Sequence, residues 1–256
     1  MARRSKVQKF STLIMAAGKG TRMKSDLAKI LHQIHDRPMV HYVIDQARKV
    51  GSEKIILIIG HQKEKVQEAC KNMDVDYVVQ EPQLGTGHAV MMAEDFLQSY
   101  TGDVLVLSGD VPLLTTETIR HLLEAHQQAN AIATLLTSEL DDPTGYGRVI
   151  RDQTGRVIKI AEQKDARPEE LKIKEINVGI YMFKTKELVT ALKQINNKNA
   201  QGEYYLPDVV KLYVDRGEKV VAQLAANFNE TRGINTVDQL KEAETILTRR
   251  SKIKNS

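Results

Sequence analysis

The sequence predicts a doubly wound α/β sheet, and three observations carry that prediction. Short runs rich in Val, Ile and Leu alternate with longer amphipathic segments through the first half of the chain. The short runs are almost continuously apolar, as strands of a parallel sheet covered on both faces should be. At 256 residues the chain is long enough to clothe such a sheet with helices and bury a large core.

The first strand is "TLIMA" (12–16), which runs straight into the loop "AGKGTRMK" (17–24). A helical pattern over 38–50 leads to the strand "KIILIIG" (54–60). Helix 62–72, strand "DYVVQ" (76–80), helix 86–99 and strand "DVLVLSG" (103–109) repeat the alternation. A helix near 115–128 and a strand at 131–137 follow. The pattern then changes: "GYGRVIRDQTGRVIKIAEQ" alternates apolar and polar residues around Asp-Gln-Thr-Gly, which reads as a β-hairpin. The apolar run "NVGIYMF" (177–183) is a further strand. Helices at 185–195, 205–216 and 236–250, with a strand at 219–225, complete the chain. There is no internal repeat or low-complexity tract. The first half reads as a nucleotide-binding core and the middle as an inserted substrate-binding part of the same sheet.

Composition narrows the partners. No apolar run approaches the roughly 20 residues needed to span a bilayer. The opening "MARRSKVQKF" has the basic look of an export signal, but the apolar stretch behind it is too short for one. Cys70 is the only cysteine, so no internal disulfide forms and a cytoplasmic location is expected. The net charge of +4 comes from the ends: Arg3, Arg4, Lys6 and Lys9 at one, Arg249, Arg250, Lys252 and Lys254 at the other, with no acid in either. Those ends are expected to be disordered. Without them acidic residues outnumber basic ones, so neither a nucleic acid nor a membrane is an expected partner.

Ligands of an open parallel sheet bind beyond the carboxyl ends of its strands, where "GKGTRMK" lies. Gly18 and Gly20 allow a tight turn that brings backbone N–H groups against a phosphate, and Lys19, Arg22 and Lys24 add positive charge. The loop is not a Walker A motif, and Met23 stands where a dinucleotide fingerprint needs its third glycine. Read alone, it is either a phosphate cradle or a turn.

The continuation "AAGKGTRMKSDLAKILHQIHDRPMVHYVID" is similar to the signature of the sugar-1-phosphate nucleotidyltransferases. The similarity continues, in the family's order, through "QLGTGHAV", "SGDVPLL", "PTGYGRVI", "AEQKDA", "NVGIYMF", "GEYYLPDVV" and "RGIN", covering about 11–240. It most resembles the uridylyltransferase half of the bacterial bifunctional N-acetylglucosamine-1-phosphate uridylyltransferases/glucosamine-1-phosphate acetyltransferases. The resemblance implies a Rossmann-like, doubly wound mixed sheet of the nucleotidyltransferase type, with an inserted β-hairpin for the sugar. It implies Mg²⁺-dependent transfer of UMP from UTP to N-acetylglucosamine-1-phosphate, giving UDP-N-acetylglucosamine, an envelope-polysaccharide precursor, and pyrophosphate. The nucleotidyltransferase domain is then 11–235, between a basic N-terminal tail (1–10) and a C-terminal helix with its own basic tail (236–256).

The resemblance also assigns residues. Arg22 and Lys29 are the catalytic cations, and Met15, Ala16, Ala17, Gly18, Gly20 and Thr21 hold the nucleotide. Gln80, Gly85 and Thr86 read uracil, an amide supplying both donor and acceptor. Asp110 and Asn235 are the Mg²⁺ ligands; Gly147, Glu162 and Asn177 hold the amino sugar. Three departures from the relatives stand out. Ala28 replaces a common proline and is expected to loosen its loop, Ser108 replaces a tyrosine beside the metal, and Val178 replaces a threonine in the sugar pocket. "GEYYLPDVV" either lines that pocket through Glu203 or Tyr205 or packs the start of a helix. His32, His35, His41 and His61 have no metal-ligand companions, and Met91–Met92 is expected core. The bifunctional relatives continue into hexapeptide repeats that carry acetyl transfer and trimerise the protein. No such repeat occurs in these residues, so neither property is expected of them; oligomeric state is left open. The rivals are a nucleotidyltransferase for another base or sugar, a Rossmann-type oxidoreductase, and a sugar-nucleotide sensor without turnover.

Overall fold

The computed structural model describes residues 9–254. Strand β1 (Phe10–Ala16) is followed by 3₁₀ turns at Thr21–Met23 and Lys29–Leu31, the two-residue strands β2 (Gln33–Ile34) and β3 (Arg37–Pro38), and helix α1 (Met39–Lys49). Then come β4 (Ile55–Ile59), α2 (Lys63–Cys70), β5 (Asp76–Val79), α3 (Thr86–Met91), α4 (Glu94–Ser99), β6 (Asp103–Ser108) and α5 (Thr116–Ala129). The later part holds β7 (Ala133–Glu139), β8 (Gly147–Arg151), β9 (Val157–Ala161), β10 (Glu175–Lys184), α6 (Thr185–Leu192), α7 (Asp208–Asp215), β11 (Val220–Leu224), α8 (Phe228–Thr231) and α9 (Val237–Lys254).

The main sheet runs β11-β7-β10-β6-β1-β4-β5. β6, β1, β4 and β5 are parallel, whereas β10 lies antiparallel between β6 and β7, so the sheet is mixed. The expected hairpin is β8–β9, which hangs from β10. Its turn is built as the sequence suggests: Asp152 Oδ1 accepts from the Thr154 and Arg156 amides, and Gly155 takes φ +83. The all-apolar strands are buried on both faces. Leu57 and Ile59 meet Val43 and Ile44 of α1 on one side; Leu13 and Val106 meet Val90, Leu188 and Val209 on the other.

Four local differences from the sequence reading are physical. The helix expected over 86–99 is two helices, α3 and α4, separated at Met92–Ala93. The helix expected from 205 begins at Asp208, because Pro207 occupies its cap position. β1 begins at Phe10, inside the segment assigned to the N-terminal tail, and the remaining cations of that tail, Arg3, Arg4 and Lys6, lie outside the described residues. At the other end Arg249, Arg250 and Lys252 stand on α9 rather than on a loose end. Arg250 donates to the Leu113 carbonyl (2.6 Å) and pairs with Glu230 (3.4 Å). The same helix covers the small β2–β3 hairpin, with Leu240 and Ala243 against Ile34 and Met39.

Candidate active site

The glycine loop leaves β1 at the carboxyl edge of the sheet. Gly20 sits at φ +67, and a Cβ there would collide with the Lys29 side chain, so the position demands glycine on two counts. Gly18 faces open space. The following 3₁₀ turn buries Met23 and leaves Arg22 and Lys24 exposed. Ala28 does not loosen the segment: its N–H, which proline would lack, donates to Gln62 Oε1 (3.0 Å), and the Gln62 amide donates on to the Asp26 carbonyl.

Asp110 lies just past β6, and the chain returns to it over residues 233–235. The Ile234 N–H donates to the Asp110 carbonyl (2.9 Å), and Gly233 packs against the Asp110 carboxyl so closely that a Cβ would lie 3.2 Å from Oδ2. Asn235 is thereby set beside Asp110. Lys29 Nζ donates to Asn235 Oδ1 (3.0 Å) and to the Asp110 carboxylate, while Arg22 Nη2 donates to the same Asn235 oxygen (2.8 Å). The four residues form one network with two cations against one carboxylate. That excess of positive charge faces the glycine loop and suits a polyphosphate.

The same oxygens fit a hard divalent cation. One carboxylate and one carboxamide leave room for phosphate oxygens and water, the set Mg²⁺ favours. The Lys29 ammonium between them shows that the geometry already accommodates a positive charge. Among the described residues no group of three His, Cys, Asp or Glu side chains offers a rival metal site.

Met15, Ala16, Ala17, Gly18, Gly20, Thr21 and Lys29 line one cleft of about 430 Å³ together with Gln80, Gly85, Thr86, Ser108 and Asp110. Gln80 is buried, and its Nε2 donates to the Gly85 carbonyl (2.9 Å) and lies 3.2 Å from His88 Nδ1. Its Oε1 is left to accept from a ligand. Gly85, at φ +104, touches the Tyr204 backbone where a Cβ would lie 2.7 Å from the carbonyl oxygen. The Leu206 N–H donates to Thr86 Oγ1 (3.0 Å), tying the "QLGTG" loop to "GEYYL". Gln83 went unmarked in the sequence, yet it lines the cleft and its Nε2 donates to the Ala17 carbonyl (2.6 Å).

A second cavity of about 200 Å³ shares Met15 and Thr86 with this cleft and is lined by Gly147, Glu162 and Asn177, along with Val178 and Tyr146. Gly147 leaves space for Glu162, whose Oε1 would lie 3.2 Å from a Cβ there. The Glu162 carboxyl is pushed up to about 7 by burial, then by the carboxylates of Asp208, Asp165 and Glu203. A bulge in β10 with Gly179 at φ +77 brings Asn177 over Tyr181, and Asn177 Nδ2 donates to the Tyr181 hydroxyl (2.6 Å). Of the two residues left open in "GEYYLPDVV", Glu203 lines the larger cleft. Tyr205 is buried and donates to Asp165 (3.0 Å), a packing role. His41 is engaged with the Ala69 carbonyl (3.0 Å) and His35 with Thr248 (2.9 Å), far from any metal role.

A glycine-loop cleft at a strand's carboxyl edge is thus joined to a smaller polar cavity through Met15 and Thr86. The nucleotidyl transferase family profile matches residues 11–242, and the chain belongs to that family. It is 50% identical over 237 residues to the bifunctional protein GlmU of Clostridium novyi, covering 93% of this chain and 52% of that protein. Against the GlmU of Exiguobacterium sibiricum the values are 49% over 239 residues, 93% and 53%. The chain thus spans about half the length of the curated relatives it matches. The crystal structure of a putative glucose-1-phosphate thymidylyltransferase from Bacillus anthracis superposes with a TM-score of 0.74 at 22% identity, covering 93% of this chain and 94% of that one, which shows the shared fold.

Proposed function

We propose that this chain transfers UMP from UTP to N-acetylglucosamine-1-phosphate with the help of Mg²⁺. The observation that carries the proposal is the Arg22–Lys29–Asp110–Asn235 network, whose Lys29 and Asp110 line the larger cleft that shares Met15 and Thr86 with the smaller cavity. An oxygen of the sugar phosphate attacks the α-phosphorus of UTP. The bond from that phosphorus to the bridging oxygen breaks, and pyrophosphate leaves with the electron pair. Such a transfer needs in-line positioning and charge neutralisation rather than a protein nucleophile.

Backbone N–H groups of the Ala17–Thr21 loop cradle the phosphates, and Arg22 and Lys29 neutralise charge as it builds on the leaving group. Gln80 offers Oε1 to the imide N–H of uracil, which cytosine lacks. Asp110 and Asn235 would hold the Mg²⁺, which when bound supplies charge neutralisation on the triphosphate oxygens. Glu162, protonated over part of the neutral range, and Asn177 present donors and acceptors to the sugar hydroxyls and acetamide. Substrates that leave these groups unpaired are penalised.

The test is a panel of pyrophosphate-release assays. UTP, CTP, dTTP and ATP are paired with N-acetylglucosamine-1-phosphate, glucosamine-1-phosphate and glucose-1-phosphate. Turnover confined to UTP with the acetylated sugar supports the proposal. Faster turnover with another sugar, which Val178 in the cavity wall makes the pertinent alternative, transfers the assignment to that sugar.

A further inference from the structure

Arg148 carries a charge into a place where a charge is costly. It stands on β8, paired with Ile176 of β10 on one side and Ala161 of β9 on the other, and is 2% exposed. Among the described residues no carboxylate pairs with it, and its Nε is buried without a partner. Burial lowers the guanidinium pKa, with Asp142 acting weakly against that. Removing an ion from water costs several kcal/mol even after relaxation, so a buried guanidinium without a counter-ion needs a reason for being there.

Its hydrogen bonds supply one. Nη1 donates to the Tyr146 carbonyl, and Nη2 reaches the Leu171 carbonyl (3.5 Å). Tyr146, with its neighbours Gly145 and Gly147, forms one wall of the sugar cavity. The Tyr146 ring packs edge-on against Phe228 (6.0 Å between centroids, 82°), and its hydroxyl senses the charges of Arg232, Asp110 and Arg22. The wall therefore also adjoins the phosphate network. Gly147 is paired with Asn177 of β10, while the residues before it are held by the Tyr146 N–H on the Pro143 carbonyl (3.2 Å), the Gly145 N–H on Gln163 Oε1 (3.0 Å) and the Thr144 N–H on Asp142 Oδ1 (3.1 Å). A planar guanidinium presents donors in a fixed fork that can serve two backbone carbonyls on separate segments at once.

We propose that Arg148 is a positioning residue for the sugar-phosphate cavity. Its buried guanidinium clamps the Tyr146 carbonyl to the Leu171 segment and so holds the Gly145–Gly147 wall in register with Glu162 and Asn177. This inference rests on the sugar-1-phosphate reading of the cavity. A residue with a merely structural role behaves differently: its exchange for an apolar side chain lowers the melting temperature and leaves both KM values unchanged or shifts them together.

Arg148→Met and Arg148→Lys are compared with the unaltered protein by thermal melting and by steady-state kinetics in both substrates. The clamp predicts that Arg148→Met melts at or above the parent temperature. Its KM for the sugar phosphate rises about tenfold or more while its KM for UTP stays within about twofold, and Arg148→Lys, which can reach one carbonyl, recovers part of the loss. An unchanged sugar-phosphate KM in a folded Arg148→Met overturns the proposal, as does an equal rise in both KM values. Should Arg148→Met fail to fold, an unchanged sugar-phosphate KM in Arg148→Lys overturns it. Absence of turnover by the parent with every sugar-1-phosphate instead overturns the functional reading, and the clamp with it.

Discussion

Lys29 and Asp110 form an ion pair between two side chains that are only 16% and 13% exposed, and the same ammonium donates to Asn235. The lysine thus occupies the oxygens assigned to the metal. At the proposed metal site a divalent cation would compete with Lys29 for them in the nucleotide-free protein, and a triphosphate would give the ammonium another anion to contact.

Lys29→Met should therefore separate metal affinity from turnover. Mn²⁺ binding without nucleotide, followed by electron paramagnetic resonance, should tighten by roughly tenfold, the worth of one charge-assisted contact. Pyrophosphate release should fall by two or more orders of magnitude, on the scale of losing one preorganised charge at a transition state. Equal Mn²⁺ affinity in the two proteins would show that the lysine does not compete for the site.

Gln80→Ala tests base selection. Gln80 Nε2 is engaged with Gly85, which fixes Oε1 as the acceptor. Loss of that acceptor should reduce the kcat/KM preference for UTP over CTP by about tenfold or more, with little effect on melting temperature. An unchanged preference would place uracil readout elsewhere in the cleft, Gln83 being the nearest candidate.

The carboxyl cluster around Glu162 gives a pH signature. The Glu162 pKa is raised from an ordinary 4.5 to about 7, by burial first and then by Asp208, Asp165 and Glu203, so the folded chain binds protons that the unfolded chain releases. Stability associated with this group is complete below about pH 4.5 and is lost as pH rises, fully so above about 7. Asp208, raised from 3.8 to about 6 by burial and Asp165, adds a smaller loss in the same direction. Glu162→Gln should flatten the fall in melting temperature between pH 5 and 8 and gain on the order of 1–3 kcal/mol at the upper end. A slope identical to the parent's would remove Glu162 as its source.

How much of this was legible in the sequence differs by residue. The strands with continuous apolar runs were, because burial on both faces leaves an unambiguous composition. The antiparallel insertion of β10 between β6 and β7 was not, since an apolar run carries no record of its neighbours. The two-residue strands β2 and β3 are too short to show a period. Asp110 and Asn235 were linked through the resemblance; the Ile234–Asp110 backbone bond supplies the physical reason. Gln83 escaped notice because its partner, the Ala17 carbonyl, is 66 residues away. Arg148 was hidden by the hairpin alternation, which assigns faces without revealing that Arg148 is buried. The C-terminal cations misled in the opposite sense, because charge alone does not distinguish a loose end from a helix face.

Whether Asp110 and Asn235 assemble a metal-dependent nucleotidyl transfer site is decided by pyrophosphate release from UTP and N-acetylglucosamine-1-phosphate. The assay compares the parent with Asp110→Asn across a Mg²⁺ titration that begins in excess chelator. The parent reaction should be silent in chelator and saturable in Mg²⁺, and the variant slower by about two orders of magnitude or more with a weakened Mg²⁺ response. Parent-like rates and Mg²⁺ dependence in Asp110→Asn would contradict that assignment.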